Sequence, residues 1–206
     1  MTSSNRDHWQ AVYEQKPDTG VSWYEATPEL SLALISATGV APPARIIDIG
    51  GGASRLVDHL LAQGFAASVL DLSGVALGVA QARLGAKAAA AEWIEGDVTR
   101  FAPAQLYDLW HDRAALHFLN QPNDQRAYAR AIKGAVRPGG FAIIGTFAPD
   151  GPEKCSGLLV TRHDAASLAA LLGPDFRLAS TMRHTHLTPG GGAQKFQFST
   201  FVRVES

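Results

Sequence analysis

Between residues 45 and 204, short apolar runs alternate with longer stretches rich in alanine and leucine. Ile46, Ile47 and Ile49 mark a short buried strand, and the pattern from Arg55 to Gln63 predicts a helix behind it. Ala67 to Leu72 reads as a second strand, followed by a helix over Val75 to Leu84. Ala91 to Glu95 makes a third strand and Leu106 to His111 a fourth. A long helix over Asp124 to Val136 should stop at Arg137-Pro-Gly-Gly140, where a helix breaker meets two permissive glycines. Phe141 to Phe147 is a fifth strand, Asp164 to Leu172 a helix, and two last strands run over Phe176–His186 and Gln194–Val204.

Strand–helix alternation argues for an α/β chain with a mostly parallel, doubly wound sheet and helices on both faces. The last two strands are joined directly by Thr188-Pro-Gly-Gly-Gly-Ala193, so they must run antiparallel. No helix follows this glycine triplet, which marks it as a turn and not a phosphate loop. The alanine-rich Gly85 to Ala91 reads as a helix end and connector. One domain over 1–206 is expected, its first forty residues forming a helix and lid segment ahead of the sheet.

Composition narrows the partners. With 206 residues and 46% hydrophobic content, the chain can bury a real core. Lys+Arg 18 against Asp+Glu 19 offers no overall electrostatic grip on nucleic acid. Cys155 is the single cysteine, which excludes an internal disulfide and a cysteine metal cluster. The first nine residues lack an apolar signal core and no later segment has the length of a membrane span, so a cytoplasmic protein is expected.

Candidate chemistry begins at Arg45-Ile-Ile-Asp-Ile-Gly-Gly-Gly-Ala-Ser54. A glycine-rich turn between strand and helix lets a ligand approach the backbone at the positive end of the helix dipole. A dinucleotide loop of the form Gly-x-Gly-x-x-Gly would start at Gly50 and Gly52, but its third glycine falls on Arg55, whose long side chain obstructs close helix packing. That residue counts against a nicotinamide oxidoreductase. A plain turn between core elements remains open. Asp71, at the end of the second strand, can accept from both hydroxyls of a ribose, or else cap the next helix. Asp97, in Glu95-Gly-Asp-Val98, can accept from an adenine amino group while the Val98 backbone reads the ring edge.

Acid-x-Gly-x-Gly at Asp48, Gly50 and Gly52 resembles motif I of the class I S-adenosylmethionine-dependent methyltransferases, with Ser54 at the usual third glycine and Gly51 between. Glu95-Gly-Asp-Val98 resembles their motif III, and seven strands ending in a hairpin resemble their sheet. The resemblance spans residues 8 to 204. It implies a Rossmann-like fold with S-adenosylmethionine as cofactor and S-adenosylhomocysteine as product. Asp48, Gly50 and Gly52 would hold the methionine end, Asp71 and Leu72 the ribose, Asp97 and Val98 the adenine.

The acceptor chemistry should lie at the end of the fourth strand, in Trp110-His-Asp-Arg-Ala-Ala-Leu-His117. Base-methylating enzymes of this fold carry Asn/Asp-Pro-Pro-Tyr/Phe here, and this chain does not. The segment resembles the Trp-Asp-Arg-Gly-Ala-Leu stretch of thiopurine S-methyltransferase-like enzymes, with one residue inserted and Ala114 in place of glycine. Arg126, Tyr128 and Gly151-Pro152 extend that similarity. His111 and His117 are candidate general bases. Asp112 and Arg113 are candidates for an ion pair that fixes the loop, and Arg113 also for holding an anionic acceptor. Trp23 and Tyr24 are candidate lid residues, able to offer aromatic faces to a sulfonium; packing against the sheet is the alternative. Cys155, in a long loop after the fifth strand, is a candidate pocket residue. Arg162, His163, His184 and His186 read as loop or strand-surface residues, and no metal site is expected. The expected activity is methyl transfer to a small molecule, foremost a thiol or other soft nucleophile. Alternatives are a protein lysine methyltransferase and a cofactor-binding module without catalysis.

Overall fold

The protein is described here by a computed structural model covering residues 3–15 and 17–205; the outermost residues of the expected 1–206 domain lie outside it. Seven strands form one sheet in the order β3-β2-β1-β4-β5-β9-β8. These are β1 (Arg45–Ile49), β2 (Ala66–Asp71), β3 (Glu92–Glu95), β4 (Tyr107–Arg113), β5 (Val136–Phe147), β8 (Phe176–Leu187) and β9 (Ala193–Arg203). The first five are parallel, and β9 runs antiparallel between β5 and β8. Strand order reverses between β1 and β4, which opens a crevice beyond their carboxyl ends. Two short strands, β6 (Lys154–Cys155) and β7 (Leu158–Leu159), make a hairpin inside what reads as a polar loop.

The helices are α1 (Ser3–Gln15), α2 (Glu29–Ala37), α3 (Leu56–Ala62), α4 (Gly74–Leu84), α5 (Pro122–Ala135) and α6 (Ala165–Leu172). Sheet alternation divides the core in two. Ile47, Ile49, Trp110 and Ile144 pack against Tyr128 and Ile132 of α5 and Leu168 of α6. Ile46, Val69, Leu109 and Ile143 pack against Ile35 of α2, Leu56, Val57 and Leu60 of α3 and Leu77 of α4. Such burial stabilises by about 25 cal/mol per Å² of apolar surface.

Among the boundaries that differ from the sequence reading, two bear on the site. The helix expected to reach Val136 ends at Ala135, because Val136 is already extended and pairs with Tyr107. The fourth strand does not stop at His111 but continues through Asp112 to Arg113. Polar residues prolong it because each finds a partner. Helix α2 has no counterpart in the sequence reading; its Pro28 start and short Leu-Ser-Leu-Ala-Leu-Ile run carry no helix cap and little contrast between faces.

Asp112, fully buried, accepts from the amides of Ala115 and Leu116 at 2.8 and 3.1 Å and from the Tyr128 hydroxyl at 2.8 Å. Tyr128 in turn accepts from Trp110 Nε1 at 2.9 Å. One phenol therefore joins α5 to Trp110 and Asp112, two residues apart on one face of β4, through an indole and a carboxylate that are both buried. Tyr128→Phe should lower stability by about 1–3 kcal/mol. Urea unfolding checks this: the midpoint should fall while the slope stays that of the parent.

Candidate active site

Beyond the carboxyl ends of β1, β2 and β4 lies a cleft open to solvent on one side. Its floor is backbone and small residues: Ile49, Gly50, Leu70, Asp71, Leu72, Gly96, Val98, Ala114 and Ala115. Trp9 and Tyr13 of α1, Trp23 of the following segment, Phe118, Cys155 and Phe196 wall the other side, with Gln194 and Arg113. Trp9 sits edge-on to both Trp23 and Phe118, at 5.7 and 4.9 Å between ring centroids.

The glycine-rich turn is shaped by what crowds it. A Cβ at Gly52 (φ +42°) would lie 2.8 Å from Asp71 Oδ2 and 3.2 Å from the Tyr13 hydroxyl. A Cβ at Gly51 would lie 2.6 Å from Asp48 Oδ2 and 2.8 Å from a Val69 methyl. Glycine is needed at both because carboxylates stand against the loop on either side. Ser54 turns away from the cleft; its hydroxyl accepts from the Leu56 amide at 3.2 Å, and its carbonyl accepts from Arg83 at 2.8 Å. Arg83 also holds the Ala53 carbonyl and Asp58, and lies 3.6 Å from Asp18. Arg55 reaches the same Asp18 and stacks over Tyr24, so Tyr24 borders a smaller neighbouring hollow and not the main cleft.

Asp71 is 8% exposed, and its Oδ1 accepts from the Ser73 amide at 2.8 Å. Burial, with Asp48 nearby, pushes its carboxyl up to about 7 against the lowering effect of the Ser73 amide. Asp97 accepts from the amide and hydroxyl of Thr99 at 2.9 and 2.7 Å, capping the short turn that carries Val98. Burial alone would raise its carboxyl; the Thr99 bonds leave it below the usual range. Gly96 and Val98 face the cleft on either side of it.

The two candidate bases are placed differently from expectation. His111 Nδ1 donates to Asp48 Oδ1 at 2.7 Å, and its Nε2 lies 2.9 Å from the Ser31 hydroxyl of α2. The trio is buried under the α2 face, outside the cleft lining. His117 is fully buried between Phe118 and Phe147, and its Nδ1 accepts from the Phe147 amide at 3.4 Å. Burial, with a smaller effect of His163, lowers its pKa to about 3. Neither imidazole meets the cleft, so neither is placed to take a proton from a molecule bound there. The expected Asp112–Arg113 pair also does not form. Alternation sends Asp112 toward α5, while Arg113 on the other face pairs with Glu25 at 2.8 Å and donates to the Trp23 carbonyl at 2.6 Å.

Glu25, Trp9 and Tyr13 had no assigned role in the sequence reading, though the Trp9–Tyr13 spacing of four residues puts both rings on one helix face. His186 corrects another expectation. It is buried, not on the strand surface, with Nδ1 3.1 Å from Glu25 and Nε2 donating to the Ser22 carbonyl at 2.8 Å. Burial pushes the Cys155 thiol up to about 12, far from a thiolate. No group of three or more potential ligands for a metal occurs among the described residues, and none of their helices is long and apolar enough to cross a membrane.

Comparison with known proteins agrees with this fold. Residues 46–140 match the family profile of a methyltransferase domain. The ubiquinone biosynthesis O-methyltransferase of Aromatoleum aromaticum is 28% identical over 178 residues, 86% of this chain and 68% of that protein. Among solved structures, 1,6-didemethyltoxoflavin-N1-methyltransferase of Burkholderia thailandensis, with S-adenosylhomocysteine bound, superposes with a TM-score of 0.69 at 22% identity, over 98% of this chain and 85% of that one. The N-methyltransferase NodS of Bradyrhizobium japonicum, also with S-adenosylhomocysteine, gives 0.73 at 18%, over 97% and 100%. A structure from the conversion of a disulfide bond into a thioacetal group in echinomycin biosynthesis gives 0.77 at 21%, over 97% and 93%. The chain is an S-adenosylmethionine-dependent methyltransferase with the class I, Rossmann-like fold.

The buried, neutral His117 ties stability to pH. An unfolded histidine takes a proton below about 6.5, whereas the folded one resists until about 3. Its contribution is therefore complete above pH 6.5 and is lost as pH falls toward 3, at up to about 1.4 kcal/mol per pH unit. Chemical denaturation at pH 7 and pH 5 should show a smaller acid-side loss for His117→Phe than for the parent.

Proposed function

We propose that the chain methylates a small, flat molecule at a soft nucleophile, foremost a thiol. When bound, the cofactor supplies an electrophilic methyl group on a sulfonium. Asp71 would accept from its ribose hydroxyls, with Leu72 alongside. Gly96, Asp97 and Val98 would frame the adenine. The Gly50–Gly52 turn, held in shape by Asp48, would take the methionine end. Arg113 would fasten the Trp23 segment over the acceptor.

The observation that carries the acceptor class is the state of the groups along the cleft's aromatic side. The Cys155 thiol is held protonated, Arg113 is committed to Glu25, and both nearby histidines are turned away. An acceptor here must supply its own nucleophilic lone pair. A thiol of pKa about 8.5 loses its proton at pH 7 for roughly 2 kcal/mol, whereas a lysine amine costs nearer 5 kcal/mol. Most of the acceleration can then come from holding nucleophile and methyl in line. This weighs against the protein lysine alternative. The disulfide-to-thioacetal relative supports sulfur chemistry. The Aromatoleum O-methyltransferase and the N1-methyltransferase favour a second reading, an oxygen or ring nitrogen of a planar molecule.

Incubation of the pure protein with methyl-tritiated S-adenosylmethionine and an extract of its source organism separates these readings. Label should appear in small or volatile products and be chased by thiol alkylation of the extract. Label confined to precipitated protein would sink the proposal. Asp71 adds a pH signature. A raised carboxyl must ionise before it accepts from two hydroxyls, so affinity for S-adenosylhomocysteine should strengthen about tenfold from pH 6 to pH 8. Calorimetric titration at both values tests it, and Asp71→Ala should bind weakly at either.

A further inference from the structure

We propose that Tyr13, carried by the N-terminal helix, is a ligand of the cofactor's α-carboxylate, so that α1 completes the cofactor site and does not merely cover it. The inference rests on the methyltransferase reading of this cleft. Tyr13 lines the cleft with its hydroxyl over the glycine turn, 3.2 Å from where a Cβ of Gly52 would stand. Asp71 Oδ2 lies against the same point at 2.8 Å. The hydroxyl thus sits at the junction between the turn that would take the methionine end and the acid that would take the ribose.

Its hydrogen bonding leaves one direction open. Trp23 Nε1 donates to the phenol oxygen at 3.3 Å, and the Ala53 backbone bonds to the same hydroxyl. With its oxygen serving as acceptor, the O–H remains as a donor. Burial, then the nearby Asp71, pushes the phenol well above its ordinary pKa, so the proton stays on. A fixed neutral donor aimed into a cleft seeks an anionic acceptor, and S-adenosylmethionine carries a single anionic group, its α-carboxylate. Helix α1 is anchored for this purpose at a second point. Gln10 Oε1 accepts from the Ser73 hydroxyl at 3.0 Å and the Val75 amide at 3.2 Å, bridging to the start of α4. The Trp23 ring packs edge-on to the same phenol at 6.2 Å between centroids, and Trp9 packs in turn on Trp23.

The test compares two probes by calorimetry on the full chain, S-adenosylhomocysteine and 5′-methylthioadenosine. The second keeps the adenosine but lacks the carboxylate. Tyr13→Phe should weaken S-adenosylhomocysteine roughly ten- to a hundredfold, as expected for a lost hydrogen bond to a charged group, and leave 5′-methylthioadenosine within about twofold. Equal weakening of both probes, or no weakening of either, overturns the assignment. A parent protein that binds neither probe overturns the cofactor reading itself, and this inference with it. Should Tyr13→Phe fail to fold, Trp23→Phe asks the same question by removing the N–H that aims the phenol; the same selective loss, smaller in size, supports the assignment, and its absence sinks it.

Discussion

Three carboxylates, Asp48, Asp71 and Asp112, are buried at the carboxyl ends of adjacent strands, and the site is organised by how each is satisfied. An uncompensated charge in such a place costs several kcal/mol. Asp112 accepts from the backbone of the turn that follows its own strand and from Tyr128, which turns a potential catalytic acid into a structural pin. Asp48 is held by His111, and through it by Ser31 of α2. Asp71 is held by backbone amides, that of Ser73 at 2.8 Å among them, and faces the cleft. Its carboxyl is pushed up to about 7, mainly by burial. Of the three it alone lines the cleft, where a ribose would bring two further donors.

Alternation along β4 explains why the motif-bearing segment divides its work. His111 and Arg113 emerge on the α2 and lid side, Asp112 on the α5 side. Three consecutive polar residues therefore serve three separate jobs: one orders β1 against α2, one caps the turn into Leu116, and one clamps the lid through Glu25 and the Trp23 carbonyl. Ala114 follows at φ +77°, a conformation that favours glycine, and its amide still closes onto the Gly145 carbonyl at 2.8 Å. The sharp turn there presents Ala114 and Ala115, with no reactive side chain, to the cleft.

What could be read from the chain beforehand was the part encoded locally. Ile46 to Gly52 and Ala67 to Asp71 carry their geometry within a few residues, as apolar period followed by glycine or acid, and the parallel or antiparallel sense of the strands follows from alternation and one hairpin. The end of β4 was not legible, because nothing near His111 in sequence announces Asp48, 63 positions away, or Ser31, 80 positions away. Once those partners are absent from view, a polar residue after an apolar run looks like the start of a loop. The same blindness made His186 a surface residue, since its partners Glu25 and Ser22 lie more than 160 positions earlier.

The aromatic wall of the cleft belongs to this long-range class. Trp9 and Tyr13 come from α1, Trp23 from the lid, Phe118 from beyond β4 and Phe196 from β9. Burial against such rings raises the cost of a thiolate, which keeps Cys155 protonated. Ion pairs fix the segment that carries Trp23: Arg113 and His186 grip Glu25 from two strands, while Asp18 lies between Arg55 and Arg83 beside the glycine turn. Arg113 lines the cleft and also holds the Trp23 carbonyl and Glu25, so the contacts that place Trp23 in the wall run through a residue of the cleft itself.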